Sequence, residues 1–564
     1  MIAALAVFFV FLCVVFSLAW PLGKYIAYVI DSPTCRPFLW VEKRLARILG
    51  SLYVAQMSWR EYFFAFLTFN TIGMLFLFFL FRWQHFFDPT IANWPSDTAF
   101  NAAISFVTNT NWQSYVPETD ISWIVQTLGI TTQQFLSAAG GLCLFSALAR
   151  SFRNEGMQFL GNFWQDLVRG SFFLLLPLAL IFAPILIITG VPQSFCHASY
   201  TTLDQSHIRK VELGMCASQV AIKQLGTNGG GSFAANSAHP LENPSPLSTL
   251  LELGAILLIP MALCRTFGEM VGVQRQGKLF LFVMLTLFVL FAALLLAAES
   301  QENPTIPAHS VSMFQATGNM EGKECRIGPF WSALWAASTT ATSNGSVCCC
   351  HSSLLPLAGA VSVIFMQLGE VVFGGIGTGM ITAVAFLLIA IFSAGLMVGR
   401  TPEYLGKKIE VDEMRLVILI AIFPAALALL STAAAVGWAA GRASLSSTNA
   451  HGFTEALYAF CSAAANNGSA FQGLGSNTPF YNIVTGLVIY LCRFFPAGMT
   501  LALAHLLSKK RKIASSAGTL PTDTVAFGLW FGFVIIILGA LNFLPAITLG
   551  PLVEHMSLFF PLQT

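Results

Sequence analysis

The apolar positions of this chain follow neither the period of two of a half-buried strand nor the 3.6-residue stripe of a surface helix. Long runs are apolar on every side and are separated by short polar breaks, the pattern of helices whose surroundings are lipid. The run YFFAFLTFNTIGMLFLFFLF at 62–81 has 20 residues without a charge, enough to cross a hydrocarbon core of roughly 30 Å. Comparable runs at 1–20, 123–149, 170–191, 247–264, 279–298, 354–373, 415–440, 479–507 and 524–549 bring the expected number of spanning helices to ten. Residues 1–20 have no basic segment ahead of them and no A-x-A site after them, and read as a retained helix rather than a cleaved signal. Thr131, Thr132, Gln133 and Gln134 interrupt the run at 123–149. A further apolar run at 380–398 follows the seventh span directly, as its continuation or as a hairpin partner.

Four of the polar breaks are alike. VTNTNWQSY (107–115), QLGTNGGGSF (224–233), TATSNGSVC (340–348) and AAANNGSAF (463–471) are uncharged clusters of Asn, Gly, Thr and Ser. Aligning Asn111, Asn228, Asn344 and Asn467 gives spacings of 117, 116 and 123 residues. Phe330 and Phe453 each stand fourteen residues before the third and fourth Asn, heading FWSALWAASTTATSNG and FTEALYAFCSAAANNG. Helices of about 15 residues reach only about 22 Å, too short to cross. The repeating unit is therefore span, re-entrant half-helix, polar turn, span. Non-helical backbone at membrane depth survives only when buried in protein or lining a water-filled cavity. Four such turns meeting on one axis satisfy one another, and each becomes one quarter of a ring.

Such a ring of carbonyls and hydroxyls replaces the hydration shell of a monovalent cation. Glycine supplies the φ values that aim successive carbonyls the same way, and half-helix C-termini ending at the turns favour positive charge. The turns hold no Asp or Glu, so a weakly hydrated monovalent ion is favoured over Ca²⁺ or Mg²⁺, which want carboxylates.

Composition and charge agree with a polytopic membrane protein. Of 564 residues only 10% are charged, and 51 are Phe. The segments 36–60, 150–169, 265–278, 400–415 and 509–512 hold 19 of the 28 Lys and Arg and fall on alternate loops. That side is expected to be cytoplasmic, with both termini outside. A net charge of +2 points to no nucleic-acid partner. Cys348, Cys349 and Cys350 are adjacent but form no C-x-x-C pair, and are expected to be core residues rather than a metal site.

The blocks LGTNGGGSFAANSAHPLENP (225–244), GEVVFGGIGTG (369–379), GRTPEYLGKKIEVDEM (399–414) and NNGSAFQGL (466–474) resemble the potassium-binding A subunit of the Kdp-type potassium-transporting ATPase, over nearly the whole chain. The resemblance implies an all-α fold of ten transmembrane helices, with four helix–pore loop–helix pseudo-repeats around a central pore and an extra helix at each end. On this chain the units fall at 1–61 (first helix and loop), 62–150, 151–272, 273–400 and 401–512 (the four pore repeats) and 513–564 (last helix). It implies a potassium selectivity filter made of Thr108, Asn109, Thr110, Asn111, Trp112 and Gln113, of Thr227, Asn228 and Gly229, of Ser343, Asn344 and Gly345, and of Asn466, Asn467 and Gly468. Asn344 and Ala465 depart from the family pattern, which has a cysteine and an asparagine there. Potassium is the transported ion, and no organic cofactor is implied. The implied partners are a P-type ATPase B subunit, a periplasm-facing C subunit, a single-helix F subunit and the lipids of the bacterial inner membrane. Potassium would enter the filter from outside and pass sideways through an intramembrane tunnel to the B subunit.

GGIGTG at 374–379 follows no predicted strand and is no dinucleotide fingerprint; inside a span it marks a broken helix, either a flexible packing break or a gating loop beneath the filter, for which Gly374, Gly375, Gly377, Thr378 and Gly379 are the candidates. Glu370 and Arg493 lie within apolar runs, where a charge costs roughly 2.5–3.5 kcal/mol on insertion scales, and are expected to pair, either as a purely structural salt bridge or as a group that shapes the ion path. GRTPEYLGKK reads as a topology signal with headgroup contact, or as a docking site for a partner subunit. Neither G-x-x-x-x-G-K-[ST] nor the D-K-T-G of P-type pumps occurs, so the chain is expected to be a non-catalytic subunit. The alternative is a stand-alone potassium channel or ion-coupled uptake subunit of the same four-repeat architecture.

Overall fold

The computed structural model describes residues 2–32, 38–195, 197–201, 208–305, 318–368, 371–514 and 519–560. Among the described residues ten helices are long and apolar enough to cross a membrane. In chain order with the half-helices between them they are α1 (Ala6–Asp31), α2 (Trp59–Arg82), the half-helix α3 (Ser96–Val107), α4 (Val125–Arg153), α5 (Phe163–Ile188), the half-helix α6 (Cys216–Leu225), α7 (Pro246–Met270) and α8 (Gln274–Glu299). They continue with the half-helix α9 (Gly328–Ala341), the short α10 (Pro356–Gln367), α11 (Thr378–Val398), α12 (Val411–Gly437), the half-helix α13 (Ala450–Ala464), α14 (Pro479–Lys509) and α15 (Val525–Phe559).

Local chemistry sets the ends of these helices. Ser58 and Glu61 form a reciprocal capping box at the start of α2, as do Ser245 and Ser248 at α7, where Pro246 occupies the first turn. Gly399, left-handed at φ 68°, closes α11.

The expected seventh span at 354–373 is corrected. Only Pro356–Gln367 is helical there, 12 residues long, and the chain breaks before α11. The break contains Phe373, Gly374 and Gly377 at positive φ, which a right-handed helix excludes. The run at 380–398 is the continuation, not a hairpin partner, because α15 runs antiparallel along both pieces. Trp530 donates to the Ala390 carbonyl at 3.0 Å, and Gly539 faces the Leu368 side chain. The helical count of ten stands, with α10 and α11 together making one traverse.

The polar interruption in the third span is no break. Helix continues from Val125 to Arg153, opening with a π turn at Val125–Thr131. Although α4 has the lowest hydropathy of the ten, 83% of its apolar window is buried, against 17% for α2. Gln133 and Gln134 are buried in protein while Thr132 is exposed, and α4 is central while α2 lies at the rim.

The basic segments gather at one end of the bundle. Arg150 pairs with Asp166, Arg153 with Asp31, Arg169 with Glu42, and Lys510 with Glu410 and Glu413. GRTPEYLGKK folds as a small hairpin pairing Glu403–Tyr404 with Lys407–Lys408. From it Lys407, wholly buried, donates to the carbonyls of Ser151, Asn154 and Leu507, tying the C-terminal ends of α4 and α14 together.

Candidate ion-binding site

The four half-helices, of 12, 10, 14 and 15 residues, end in turns with one shared backbone. Each closes on a residue with φ between −80° and −102° and ψ near zero: Thr108, Gly226, Thr342 and Ala465. The next residue is left-handed in every case: Asn109 (φ 70°), Thr227 (47°), Ser343 (50°) and Asn466 (50°). Two positions further on the backbone is left-handed again, at Asn111 (55°), Gly229 (85°), Gly345 (82°) and Gly468 (97°). The amides between them, of Thr110, Asn228, Asn344 and Asn467, donate back to Ser105, Lys223, Thr339 and Ser462 at 2.9–3.0 Å. This shared geometry corrects the sequence alignment by one residue in the first turn: Thr110, not Asn111, is the counterpart of Asn228, Asn344 and Asn467. The polar letters alone misled, because the first turn carries Asn where the other three carry Gly.

The turns interlock. A Cβ placed on Gly229 would lie 2.0 Å from the Asn344 carbonyl oxygen; on Gly345, 2.0 Å from that of Asn467; on Gly468, 2.0 Å from that of Thr110. Second turn thus touches third, third touches fourth, and fourth touches first. Asn109 closes the circle, donating to the Thr227 carbonyl at 2.9 Å and accepting from the Asn228 amide. Asparagine side chains add further links between the turns. Asn467 donates to the Thr339 carbonyl at 2.8 Å, Asn344 to that of Lys223 at 3.2 Å, and Asn466 to the Thr110 hydroxyl at 3.0 Å. Gln113 straps the first turn to the second through both the amide and the carbonyl of Gly231. The Trp112 amide is held by the Ser105 hydroxyl. All fifteen residues assigned to the ring from the sequence therefore lie in these four turns, and no carboxylate stands among them.

A supporting shell escaped the sequence reading. From α4, Gln134 donates to the Gly230 carbonyl and Ser137 to the Asn109 side chain, which accounts for Gln134 among the polar letters of that span. Trp335 donates to the Ser346 carbonyl, Tyr458 bonds Ser469, and Asn236 bonds Gly229. The buried Asn236 at φ 51° sits in the block 225–244, whose density of polar residues was the available signal.

The broken segment between α10 and α11 lies against the ring. The Gly374 amide donates to the Ala341 carbonyl at the end of α9, and the Ile376 amide to the Thr227 hydroxyl at 3.2 Å. A Cβ on Gly377 would strike the Gly141 carbonyl of α4 at 2.1 Å, and one on Gly379 the Phe373 carbonyl at 2.0 Å, so both positions exclude a side chain. A cavity beside the ring is lined by Gln367, Thr378, Cys461, Asn466 and Arg493. Arg493 is buried there on α14. Glu370 lies outside the described residues, and its expected pairing with Arg493 lies outside them too. Cys348 and Cys349 are buried and Cys350 half-buried; no cluster of three or more metal-ligating side chains occurs among the described residues.

The family model of the potassium-transporting ATPase A subunit matches residues 9–556. A potassium-transporting ATPase potassium-binding subunit of Herpetosiphon aurantiacus is 48% identical, over 97% of this chain and 98% of its own. Those of Laribacter hongkongensis and Methylococcus capsulatus are 45% and 47% identical over the same shares. The solved structure of the potassium transporter TrkH from Vibrio parahaemolyticus aligns with a TM-score of 0.53 at 13% identity, covering 85% of this chain and 97% of its own, a likeness of fold. With its half-helices, its ring of turns and these relatives taken together, the chain belongs to the family of potassium-transporting ATPase A subunits.

Proposed function

We propose that the ring is a potassium selectivity filter and that the chain is the ion-binding, non-catalytic subunit of an ATP-driven potassium uptake pump. The observation that carries the reading is the common backbone of the four turns. Two left-handed residues flank one of negative φ in each turn, an alternation that lets successive carbonyls face one side of the chain. Four such turns offer stacked rings of oxygen to an ion with a loosely held hydration shell. The half-helices aim their negative ends at it.

In this reading Thr108 to Gln113, Thr227 to Gly229, Ser343 to Gly345 and Asn466 to Gly468 form the filter, open to the side poor in basic residues. The ion leaves past Gly374, Gly375, Gly377, Thr378 and Gly379 into the cavity bearing Arg493. From there it passes sideways to a P-type ATPase subunit, which supplies the phosphorylation step. A periplasm-facing C subunit and a single-helix F subunit complete the assembly, with both termini of this chain outside the inner membrane.

Two measurements test the reading. Replacing Gly229, Gly345 or Gly468 with Asp in potassium-depleted cells is expected to weaken potassium affinity or admit other cations; unchanged affinity and selectivity in all three removes the filter assignment. Purification from the native membrane is expected to bring down a large subunit with a phosphorylatable Asp. Potassium flux through the chain alone in vesicles, without that subunit, supports a stand-alone channel instead.

A further inference from the structure

The second turn is held unlike the other three. Lys223 on α6 and Glu242 form an ion pair in which neither side chain has any exposure. Burying two charges costs several kcal/mol per ion, offset only by good geometry and further hydrogen bonds, so the destination of those bonds matters. Glu242 accepts from the Ser232 and Phe233 amides at 2.7 and 3.0 Å, just past the turn. Lys223 donates to the Asn236 side-chain carbonyl at 2.8 Å. Asn236, so oriented, donates its amide to the carbonyl oxygen of Gly229 at 2.7 Å. The Asn236 side-chain oxygen also accepts from the Ser237 amide and, at 3.4 Å, from the Val347 amide beyond the third turn. The backbone carbonyl of Lys223 takes the Asn228 amide and the Asn344 side chain.

Among the described residues no side chain donates to the equivalent carbonyls of Asn111, Gly345 and Gly468, in contrast to that of Gly229. One carbonyl at that level of the ring is therefore directed by a buried chain of contacts that begins at a charged pair, while its counterparts are not. We propose that Glu242, Lys223 and Asn236 form a brace that fixes the Gly229 carbonyl and so sets the preference for potassium over sodium; the proposal rests on the filter reading above. A smaller ion demands that the ring contract around it. An oxygen anchored from behind resists contraction, and the braced turn is the stiff quarter of the ring. These are positioning residues, because Lys223 and Glu242 act on the ion only through Asn236 and the Gly229 carbonyl.

The experiment uses the chain co-expressed with its partner subunits in cells lacking other potassium uptake systems, measuring potassium and sodium uptake side by side. The double variant Lys223→Met/Glu242→Gln removes both charges of the pair together and leaves a side-chain oxygen for the Ser232 amide. Asn236→Asp keeps a residue at ease in left-handed backbone but cannot donate to the Gly229 carbonyl. Both are expected to raise the sodium-to-potassium uptake ratio about two- to tenfold, the range that one orienting hydrogen bond commands, with detergent-solubilised protein remaining monodisperse. Wild-type ratios in either folded variant overturn the brace. Gly229→Asp is the control: if it alters selectivity while the brace variants do not, only the brace falls. If Gly229→Asp also leaves selectivity unchanged, the filter reading falls with it.

Discussion

Alanine at Gly229, Gly345 or Gly468 probes the ring through two separable costs. The first is local. The three residues stand at φ +85°, +82° and +97°, where an L side chain costs roughly 1–2 kcal/mol. The second lies between turns. The new Cβ would stand 2.0 Å from a carbonyl oxygen of the next turn, and real Cβ contacts essentially never fall below 3.0 Å. The neighbour must retreat by about 1 Å, the difference between the two distances. It cannot do so freely: Asn344 and Asn467, whose carbonyls are struck, are held by their own amides to Thr339 and Ser462 and by their side chains to Lys223 and Thr339. A carbonyl displaced that far loses its contact with a bound ion, and about 1.4 kcal/mol of binding is tenfold in affinity. Each variant is therefore expected to weaken apparent potassium affinity at least about tenfold. Gly272 is the control. It has φ +77° and nothing within 4 Å of its Cβ position, so Gly272→Ala incurs the local cost alone and is expected to lower thermal stability with affinity unchanged. Rubidium uptake in potassium-depleted cells gives the affinity, and thermal unfolding in detergent gives the stability. If the ring variants lose stability as Gly272→Ala does yet keep wild-type affinity and ion preference, the inter-turn contact has no part in binding.

Three further outcomes are expected. The purified chain alone binds potassium or rubidium and hydrolyses no ATP above background; robust hydrolysis would contradict a non-catalytic role. Lys407→Met strips the donor from three carbonyls at the ends of α4 and α14 and is expected to cost about 2–4 kcal/mol, read as a lowered unfolding temperature; an unchanged temperature would mean that water replaces the ammonium. His239 stacks on Phe233, and its Nδ1 accepts from the Leu241 amide, while burial holds its pKa below the usual 6.5. The folded state thus favours the neutral ring, and its contribution is intact above pH 6.5 and shrinks as pH falls through that value. Unfolding temperatures at pH 7.5 and 5.5 should differ less in His239→Gln than in the wild type, and equal differences would discount the histidine.

The sequence by itself determined the class of molecule, the number of spans, the four polar turns and the half-helices before them. Those are local properties: a run's length against the thickness of a bilayer, and the inability of Asn–Gly clusters to continue a helix, need no knowledge of neighbours. The broken helix was legible too, in GGIGTG at membrane depth. What the sequence left open was how the pieces meet. An all-apolar run carries no face that names its partner, so only the antiparallel packing of α15 along α10 and α11 decided that 356–398 is one traverse. The register of the first turn followed letters rather than dihedral angles, and the left-handed pair at Asn109 and Asn111 moved it by one residue. The polar interruption in α4 looked like a weak span until Gln134 and Ser137 were seen to bond the turns. Lys223, Glu242 and Asn236 went unselected because a charge in a polar block reads as solvated surface. Only the closure of the ring, joining residues more than a hundred positions apart, puts that charge in a dry place where it must be paired and can direct a carbonyl.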